Sequence, residues 1–213
     1  MKYSMEFVSD IVKEVISVNS IEFIGCGNHS EAFCINNEIV VKLPKHRKAS
    51  ECLKTEMHVL RGLEQKTNLE IPNVLFEGVF SVGSDEFVYF VSNRLNGKNL
   101  PKADFVKLDE RTTALNAERI ALFLFQLHNE KHILPIKRKD FCLLHGDFSL
   151  NHILFDEENK VCGVLDFGDS RVGKPKSDFI YLLDDEDDEE FGATFGEMVQ
   201  NKYESYKARK INL

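Results

Sequence analysis

Two short segments carry closely spaced acidic, imidazole and amide side chains of the kind that hold metal ions or move protons. The first is His145-Gly-Asp147, followed by Asn151 and His152, and the second begins at Asp166. An apolar run stands directly before each segment, and the polar residues 156–159 have the composition of a hairpin turn between them. We therefore predict neighbouring strand ends whose polar side chains share one pocket.

This set of side chains suits phosphoryl transfer. The reaction needs a carboxylate to accept the proton of the attacking hydroxyl and further ligands to hold Mg²⁺ against the nucleotide phosphates. His-x-Asp, then Asn or His, then Asp-Phe-Gly is the order in which kinases carry these parts. Asp147 is then the predicted base, and Asp166 with either His152 or Asn151 holds the metal.

The stretch from His145 to Leu183 resembles the catalytic and metal loops of the aminoglycoside phosphotransferases, which are small-molecule kinases with the protein-kinase fold. The likeness is greatest to the 2″-phosphotransferases, through Asn-His-Ile-Leu at 151–154, Asp-Phe-Gly-Asp-Ser at 166–170 and Asp-Phe-Ile-Tyr-Leu-Leu at 178–183. The resemblance implies Mg²⁺ as a cofactor and ATP or GTP as phosphoryl donor. It also implies that His145 and Asp178 support the catalytic loop, with Asp178 bracing its backbone.

Magnesium prefers oxygen ligands, which favours Asn151 as the partner of Asp166, whereas the Asn-His order shared with the 2″-phosphotransferases favours His152. We expect His152. In the protein-kinase pattern an asparagine stands five residues after the catalytic aspartate, and His152 occupies that place here.

The resemblance implies an α+β, bilobal, protein-kinase-like fold. Residues 1–95 would form a nucleotide-binding lobe, built from an antiparallel sheet of about five strands with a helix. A hinge is expected at about 92–97, and residues 98–213 would form a shortened, mostly helical catalytic lobe with a short catalytic hairpin. Apolar periodicity predicts the helices separately, over 6–18, 50–65, 109–129 and 191–208.

A glycine-containing turn lies between the first two predicted strands. Glycine permits close backbone approach, so Gly25 and Gly27 could lay N–H groups over phosphates. Ser30 stands where the third glycine of the usual pattern would be, and a plain hairpin turn is the better explanation of these residues taken alone. Their position relative to the rest of the resemblance favours nucleotide binding.

Lys42 ends the third predicted strand, where a kinase keeps the lysine that contacts the α- and β-phosphates. Glu56 falls among the apolar positions of the next predicted helix, and an inward carboxylate requires a cationic partner. We predict a Lys42–Glu56 ion pair. Glu51 and Glu64, on more polar faces, are the alternatives to Glu56.

Residues 92–97 lead out of the predicted sheet. By the resemblance, Ser92 guards the adenine pocket, and the carbonyl of Asn93 and the N–H of Leu95 meet the nucleobase. Since backbone groups make these contacts, the side chains do not distinguish ATP from GTP. Further along the chain, we interpret His128, at the end of an apolar helix face, as a packed or capping residue and not as a ligand.

The composition excludes several classes of protein. A formal charge of −8 argues against nucleic-acid binding and is compatible with a cationic small-molecule substrate. Five cysteines without a C-x-x-C pair indicate reduced thiols and no zinc site. No apolar run is long enough for a membrane helix, and no secretory signal precedes the first helix, so we expect a cytoplasmic monomer that contacts no membrane.

Two observations concern the acceptor. Seven acidic residues, 184–190, form either a solvated face or disordered tail, the simpler interpretation, or a wall that attracts ammonium groups. Residues 129–144 and 170–213 are shorter than the helical segments that build the acceptor pocket in typical aminoglycoside phosphotransferases. We therefore expect a shortened acceptor side.

The expected function is phosphorylation of a cationic small molecule. The expected acceptor is an aminoglycoside. Choline, an amino sugar or another hydroxylated metabolite is an alternative acceptor. A nucleotide-binding kinase relic that no longer turns over substrate is the alternative of a different class.

Overall fold

The computed structural model describes residues 1–211, with side chains through residue 209. Two compact units are present. One contains residues 1–61 and 72–94, and the other contains residues 62–71 and the chain from Leu95 onward. Their assignment to a nucleotide-binding and a catalytic lobe stays a prediction.

The first unit is built on the expected antiparallel sheet of five strands. In chain order these are β1 (Ile21–Cys26), β2 (Ser30–Ile35), β3 (Ile39–Pro44), β4 (Val74–Val82) and β5 (Asp85–Asn93), arranged as β1-β2-β3-β5-β4. Asn36 and Asn37 between β2 and β3, and Gly83 between β4 and β5, adopt positive φ, which tight hairpin turns require. The predicted α+β fold class is confirmed.

One face of this sheet packs against α1 (Met5–Val12), whose first turn is capped by the hydroxyl of Ser4, an acceptor for the N–H of Phe7. The predicted helix over 6–18 is too long. The β-branched residues after Val12 have low helix propensity, and Ile16 and Val18 still contact the core from the following turn. The apolar pattern therefore continued although the helix did not.

The apolar residues within 71–76 predict a strand over that range, and β4 departs from it at both ends. It begins later because Pro72 cannot donate a ladder hydrogen bond. It extends further because Gly78 does not end the strand. A Cβ at Gly78 would lie 2.5 Å from the ring of Tyr89, so glycine at this position makes room for that ring on β5.

Helix α2 (Arg47–Leu63) follows β3. Side chains alternate along a strand, and Val41 and Leu43 belong to the core that α1 covers. Lys42 therefore points to the opposite face of the sheet, where it contacts Glu56 of α2.

The second unit centres on α4 (Glu110–Asn129) and α6 (Ala193–Ile211), which pack extensively on one another. The predicted helix over 109–129 is confirmed, and the carboxylate of Asp109 caps it by accepting the N–H groups of Arg111 and Thr112. Two short helices, α3 (Lys102–Phe105) and α5 (Ile180–Leu183), were not predicted. Among residues 1–211, no helix combines the length and the apolar character that crossing a membrane requires.

Two small antiparallel pairs carry the chemically interesting residues. β7 (Ile153–Phe155) and β8 (Val161–Val164) form the predicted hairpin. β6 (Cys142–Leu144) pairs with β9 (Arg171–Gly173). Strand β9 was not predicted because three residues are too few to show an apolar alternation. Further 3₁₀ turns cover Leu150–His152 and Pro175–Phe179.

Candidate active site

The structure brings Asp147, His152 and Asp166 together, as the sequence predicted. His152 ends the 3₁₀ turn before β7, and its Nδ1 lies 2.8 Å from the backbone oxygen of Asp147 and 3.7 Å from the Asp147 carboxylate. Its Nε2 lies 3.8 Å from Oδ2 of Asp166. A backbone carbonyl can only accept, so Nδ1 donates, and in the neutral ring the lone pair is on Nε2, beside Asp166.

This arrangement fits a magnesium ion. A carboxylate oxygen and an imidazole nitrogen would supply two ligands, and the hydrogen bond at Nδ1 fixes the tautomer that leaves Nε2 able to bind. Within residues 1–211, no group of three or more His, Cys, Asp or Glu side chains forms a metal cage. Mg²⁺ commonly takes one or two protein ligands and completes its shell with waters and substrate phosphates.

Asn151 makes different contacts from those of His152. Its backbone oxygen accepts a hydrogen bond from the amide of Asn99 at 2.6 Å, and the residue is exposed. The geometry at His152 favours the imidazole as the ligand beside Asp166, and the choice between the two residues stays a prediction.

Asp178 makes the contacts that the resemblance implied. Its two carboxylate oxygens accept the backbone N–H groups of His145 and Gly146, each at 2.9 Å, and Oδ2 lies 3.0 Å from Nε2 of His128. Burial alone would raise the pKa of Asp178, but these hydrogen bonds and the neighbouring imidazoles hold the pKa below its usual range. An ionised carboxylate thus braces the two residues before Asp147.

His145 is fully buried and supports the same loop. Its Nε2 donates to the backbone oxygen of Leu165 at 3.0 Å, which ties the catalytic loop to the residue before Asp166. Burial lowers the pKa of His145, so the imidazole is neutral. His128, on α4, is buried as predicted, and its ring lies between Tyr203 of α6 and Asp178.

Two backbone positions in the site need special conformations. Gly146 has a φ of 95°, and a Cβ there would lie 2.1 Å from the backbone oxygen of Asp169. Asp166 has a φ of 61° although it is not glycine. Arg171, which sequence reasoning missed, donates from its guanidinium to the carbonyls of Gly146 and Asp169 and so joins the two loops.

Tyr181 was also missed. It lies one helical turn after Asp178 and its phenol is hydrogen-bonded to Asp147. The charge of that carboxylate, followed by burial and the hydrogen bond, raises the pKa of Tyr181. The three-residue spacing from Asp178 is the one sequence signal that could have indicated it.

Hydrogen bonds hold the acidic loop (184–190), and whether it is a solvated face or a wall that attracts ammonium groups stays a prediction. Gly192 donates to the carbonyl of Asp184 at its base, and the buried carboxylate of Glu190 accepts the N–H of Asp187 at 2.8 Å. The N–H of Leu150, in the catalytic loop, donates to the carbonyl of Glu189 at 2.8 Å. The other carboxylates of the loop are exposed.

In the first unit, the predicted Lys42–Glu56 ion pair is present. Nζ of Lys42 lies 2.7 and 2.8 Å from the two carboxylate oxygens, and Glu56 is only 2% exposed. Glu51 pairs with Lys54 on the surface and Glu64 is exposed, so neither alternative holds. Contact of Lys42 with phosphates stays a prediction.

The turn between β1 and β2 is closed by Gly27, whose N–H donates to the carbonyl of Ser30 at 3.0 Å. Nζ of Lys45 donates to the carbonyl of Gly27 at 2.6 Å. A Cβ added at Gly25 or Gly27 would meet nothing within 4 Å. The backbone is therefore open to approach from outside, while the N–H of Gly27 is already used within the turn.

The predicted hinge begins with the last two residues of β5, Ser92 and Asn93. Asn93 accepts the N–H of Asn73 on its side-chain oxygen at 2.6 Å, and Ser92 is buried. Leu95 is buried in the second unit, against Gly163. The proposed contacts of Asn93 and Leu95 with a nucleobase stay predictions.

Comparison with known proteins agrees with this geometry. Residues 130–210 match the model of the family described as "Phosphotransferase enzyme family". The solved structure of the gentamicin–APH(2″)-IIa complex is similar over 99% of this chain and 84% of that chain, with a TM-score of 0.81 and 24% identity. For ADP-bound aminoglycoside phosphotransferase APH(2″)-Ib the values are 98%, 84%, 0.80 and 24%.

The GDP and kanamycin complex of a third 2″-phosphotransferase, APH(2″)-IIIa, is similar over 94% of this chain and 83% of that chain, with a TM-score of 0.80 and 20% identity. The chain thus has the fold of these enzymes over nearly its whole length. Residues 130–210, which include the catalytic loop, also match the phosphotransferase family in sequence. The predicted resemblance is therefore confirmed for the fold over nearly the whole chain and for the sequence of residues 130–210.

Proposed function

We propose that this protein is a Mg²⁺-dependent phosphotransferase that moves the γ-phosphoryl group of ATP or GTP to a hydroxyl group of a cationic small molecule, with an aminoglycoside as the first acceptor to test. The observation that carries the proposal is the convergence of Asp147, His152 and Asp166 on a loop that Asp178 braces. That loop lies within the stretch that matches the phosphotransferase family.

In the proposed reaction, the acceptor hydroxyl attacks the γ-phosphorus, and the bond from that phosphorus to the β–γ bridging oxygen breaks. ADP or GDP leaves, and Asp147 takes the proton of the hydroxyl. Bound Mg²⁺ would neutralise charge on the phosphates, with Nε2 of His152 and the Asp166 carboxylate as its protein ligands. Tyr181, hydrogen-bonded to Asp147, helps to orient the base.

Residues of the first unit would contact the nucleotide phosphates. Lys42, fixed by Glu56, would contact the α- and β-phosphates, and the turn with Gly25, Gly27 and Ser30 would cover them. The carbonyl of Asn93 and the N–H of Leu95 would bind the base. ATP and GTP are both retained as donors because backbone groups would make these contacts.

The acidic loop supports a cationic acceptor. Its exposed carboxylates adjoin the catalytic loop through the hydrogen bond between Leu150 and Glu189, so they would raise the local concentration of amines near Asp147. The gentamicin and kanamycin named for the similar structures are amines of this kind. Choline and amino sugars share the charge and belong in the same test.

The experiment measures nucleotide turnover by the purified protein with Mg²⁺ and ATP or GTP, against a panel of aminoglycosides, choline and amino sugars, with mass spectrometry of the acceptor. Asp147→Asn should retain nucleotide binding and lose about 10²–10⁴-fold in rate. Lys42→Ala should instead weaken nucleotide binding.

Nucleotide binding without turnover on any acceptor would replace this proposal with the kinase relic. A wild-type rate in Asp147→Asn would remove Asp147 as the base.

A further inference from the structure

A chain of buried hydrogen bonds connects the C-terminal helix to the catalytic loop. The hydroxyl of Tyr203, on α6, lies 2.8 Å from Nδ1 of His128, on α4. Nε2 of the same imidazole lies 3.0 Å from Asp178, which holds the N–H groups of His145 and Gly146 at 2.9 Å. All of these residues belong to the second unit.

The direction of each hydrogen bond follows from the chemistry of the groups. Ionised Asp178 can only accept, so Nε2 of His128 donates to it. A neutral His128 then has a lone pair on Nδ1, which accepts the hydroxyl proton of Tyr203. Tyr203, His128 and Asp178 are 4%, 4% and 2% exposed, so a partner lost from this chain would not readily be replaced by water.

Packing holds the Tyr203 ring in place independently of its hydroxyl. The ring makes edge contacts with Phe179 at 5.2 Å and with His128 at 5.4 Å between centroids. Phenylalanine would keep these contacts, so the role of the hydroxyl can be tested with little change in packing.

We propose that Tyr203 is a positioning residue for catalysis: through His128 it fixes the Asp178 carboxylate, which in turn sets the backbone of the two residues before Asp147. The inference rests on the proposed function, and it assigns to the C-terminal helix a part in orienting the base. His128 and Tyr203 touch neither the predicted metal ligands nor Asp147 directly, so they act through Asp178.

The test compares Tyr203→Phe with Tyr206→Phe, which removes a hydroxyl one turn along the same helix, where the ring packs on Phe125. Tyr203→Phe should lower kcat about 5–10-fold, the value of one hydrogen bond, and leave the KM for nucleotide within about twofold. Tyr206→Phe should change neither. Equal losses in both variants would overturn the proposal.

A double-mutant cycle tests the connection itself. His128→Gln can donate to Asp178 from its amide nitrogen, and its amide oxygen does not then take the place of Nδ1, so the Tyr203 hydroxyl loses its acceptor. In that background, Tyr203→Phe should cause no further loss of kcat, because coupled residues are non-additive. Fully additive losses would mean that Tyr203 does not act through His128.

Amide hydrogen exchange provides a readout that needs no turnover. Tyr203→Phe should speed exchange at the N–H groups of His145 and Gly146, since both are held by Asp178. Unchanged exchange at both amides would overturn the proposal. Faster exchange in a protein that phosphorylates no acceptor would support the positioning contact and count against the proposed function alone.

Discussion

His152 uses its two ring nitrogens for different purposes. Nδ1 is held by the backbone oxygen of Asp147 at 2.8 Å, within the catalytic loop itself, and Nε2 faces Asp166. The loop conformation that presents Asp147, the proposed base, therefore also selects the tautomer that can bind a cation. A sequence pattern can offer His152 or Asn151 as ligand, but only this hydrogen bond shows which atoms are directed toward Asp166.

Metal preference tests the role of His152. Nitrogen ligands suit Mn²⁺ better than they suit Mg²⁺, so the wild-type protein should work with either ion. His152→Asn offers an amide oxygen and should lower the ratio of Mn²⁺-supported to Mg²⁺-supported turnover several-fold. Asn151→Ala is the matched control and should change the ratio little. The reverse pattern would make Asn151 the ligand.

The buried Asp178 carboxylate gives a pH dependence of stability. Its pKa lies below the usual value of 3.8, so its ionised form contributes stability that is complete above pH 3.8 and is lost as pH falls below 3.8 toward the folded-state pKa. In urea unfolding, the wild-type protein should therefore lose more free energy between pH 5 and pH 3 than Asp178→Asn. At pH 7 the variant should be weaker by about 1–3 kcal/mol for each N–H left unsatisfied. Parallel losses in the two proteins would contradict the assignment.

At the scale of elements, periodicity and residue type predicted those features that depend mainly on residues near one another in the sequence. The β7–β8 hairpin, helix α4 and the Lys42–Glu56 pair follow from periodicity, turn residues and the need to pair a buried charge. Strand β9 and the hydrogen bonds that hold the acidic loop did not, because both depend on partners distant in sequence. Leu144 pairs with Arg171, and Leu150 holds Glu189. Tyr181 and Arg171 were missed for the same reason.

The β1–β2 turn can be tested through Cys26, which is exposed at the end of β1, whereas Cys34 and Cys142 are buried. Burial raises the pKa of Cys142 to about 12, so a thiol reagent at pH 8 should modify Cys26 first. If the turn covers phosphates, ATP or GTP at ten times its Kd should slow that reaction about tenfold. Cys26→Ser identifies the fast phase, and Lys42→Ala should lose the protection. Unchanged labelling in the nucleotide-saturated protein would contradict a phosphate role for the turn.

At the scale of the whole molecule, the charge of −8 is unevenly placed, because seven consecutive acidic residues form one ordered loop. The buried carboxylate of Glu190 accepts backbone N–H groups and so shapes the loop, while Asp185 pairs with Lys102 at 2.7 Å. The remaining carboxylates are exposed and can act on a ligand through their field.

Neutralising the exposed residues Glu186, Asp188 and Glu189 as Gln, Asn and Gln should raise the acceptor KM, by on the order of 10-fold at low salt. The salt dependence of that KM should flatten, with the nucleotide KM unchanged. The control removes three exposed charges elsewhere, at Glu22, Glu64 and Glu157, and should have little effect on the acceptor. Equal effects in the two triple variants would mean that the loop affects acceptor binding only through the net charge of the protein.

At Asp166 the left-handed backbone conformation lowers the stability of the fold, whereas the proposed metal site needs the carboxylate at that position. An aspartate held at a φ of 61° costs the folded state about 1 kcal/mol or more, which glycine would not. Asp166→Gly and Asp166→Ala both remove the carboxylate and should both be inactive, but the glycine variant should be more stable by about 1 kcal/mol in urea unfolding. Equal stabilities would show that the strain is absent. A laboratory selection for thermal tolerance alone would therefore tend to recover glycine at this position and discard the carboxylate that the proposed activity requires.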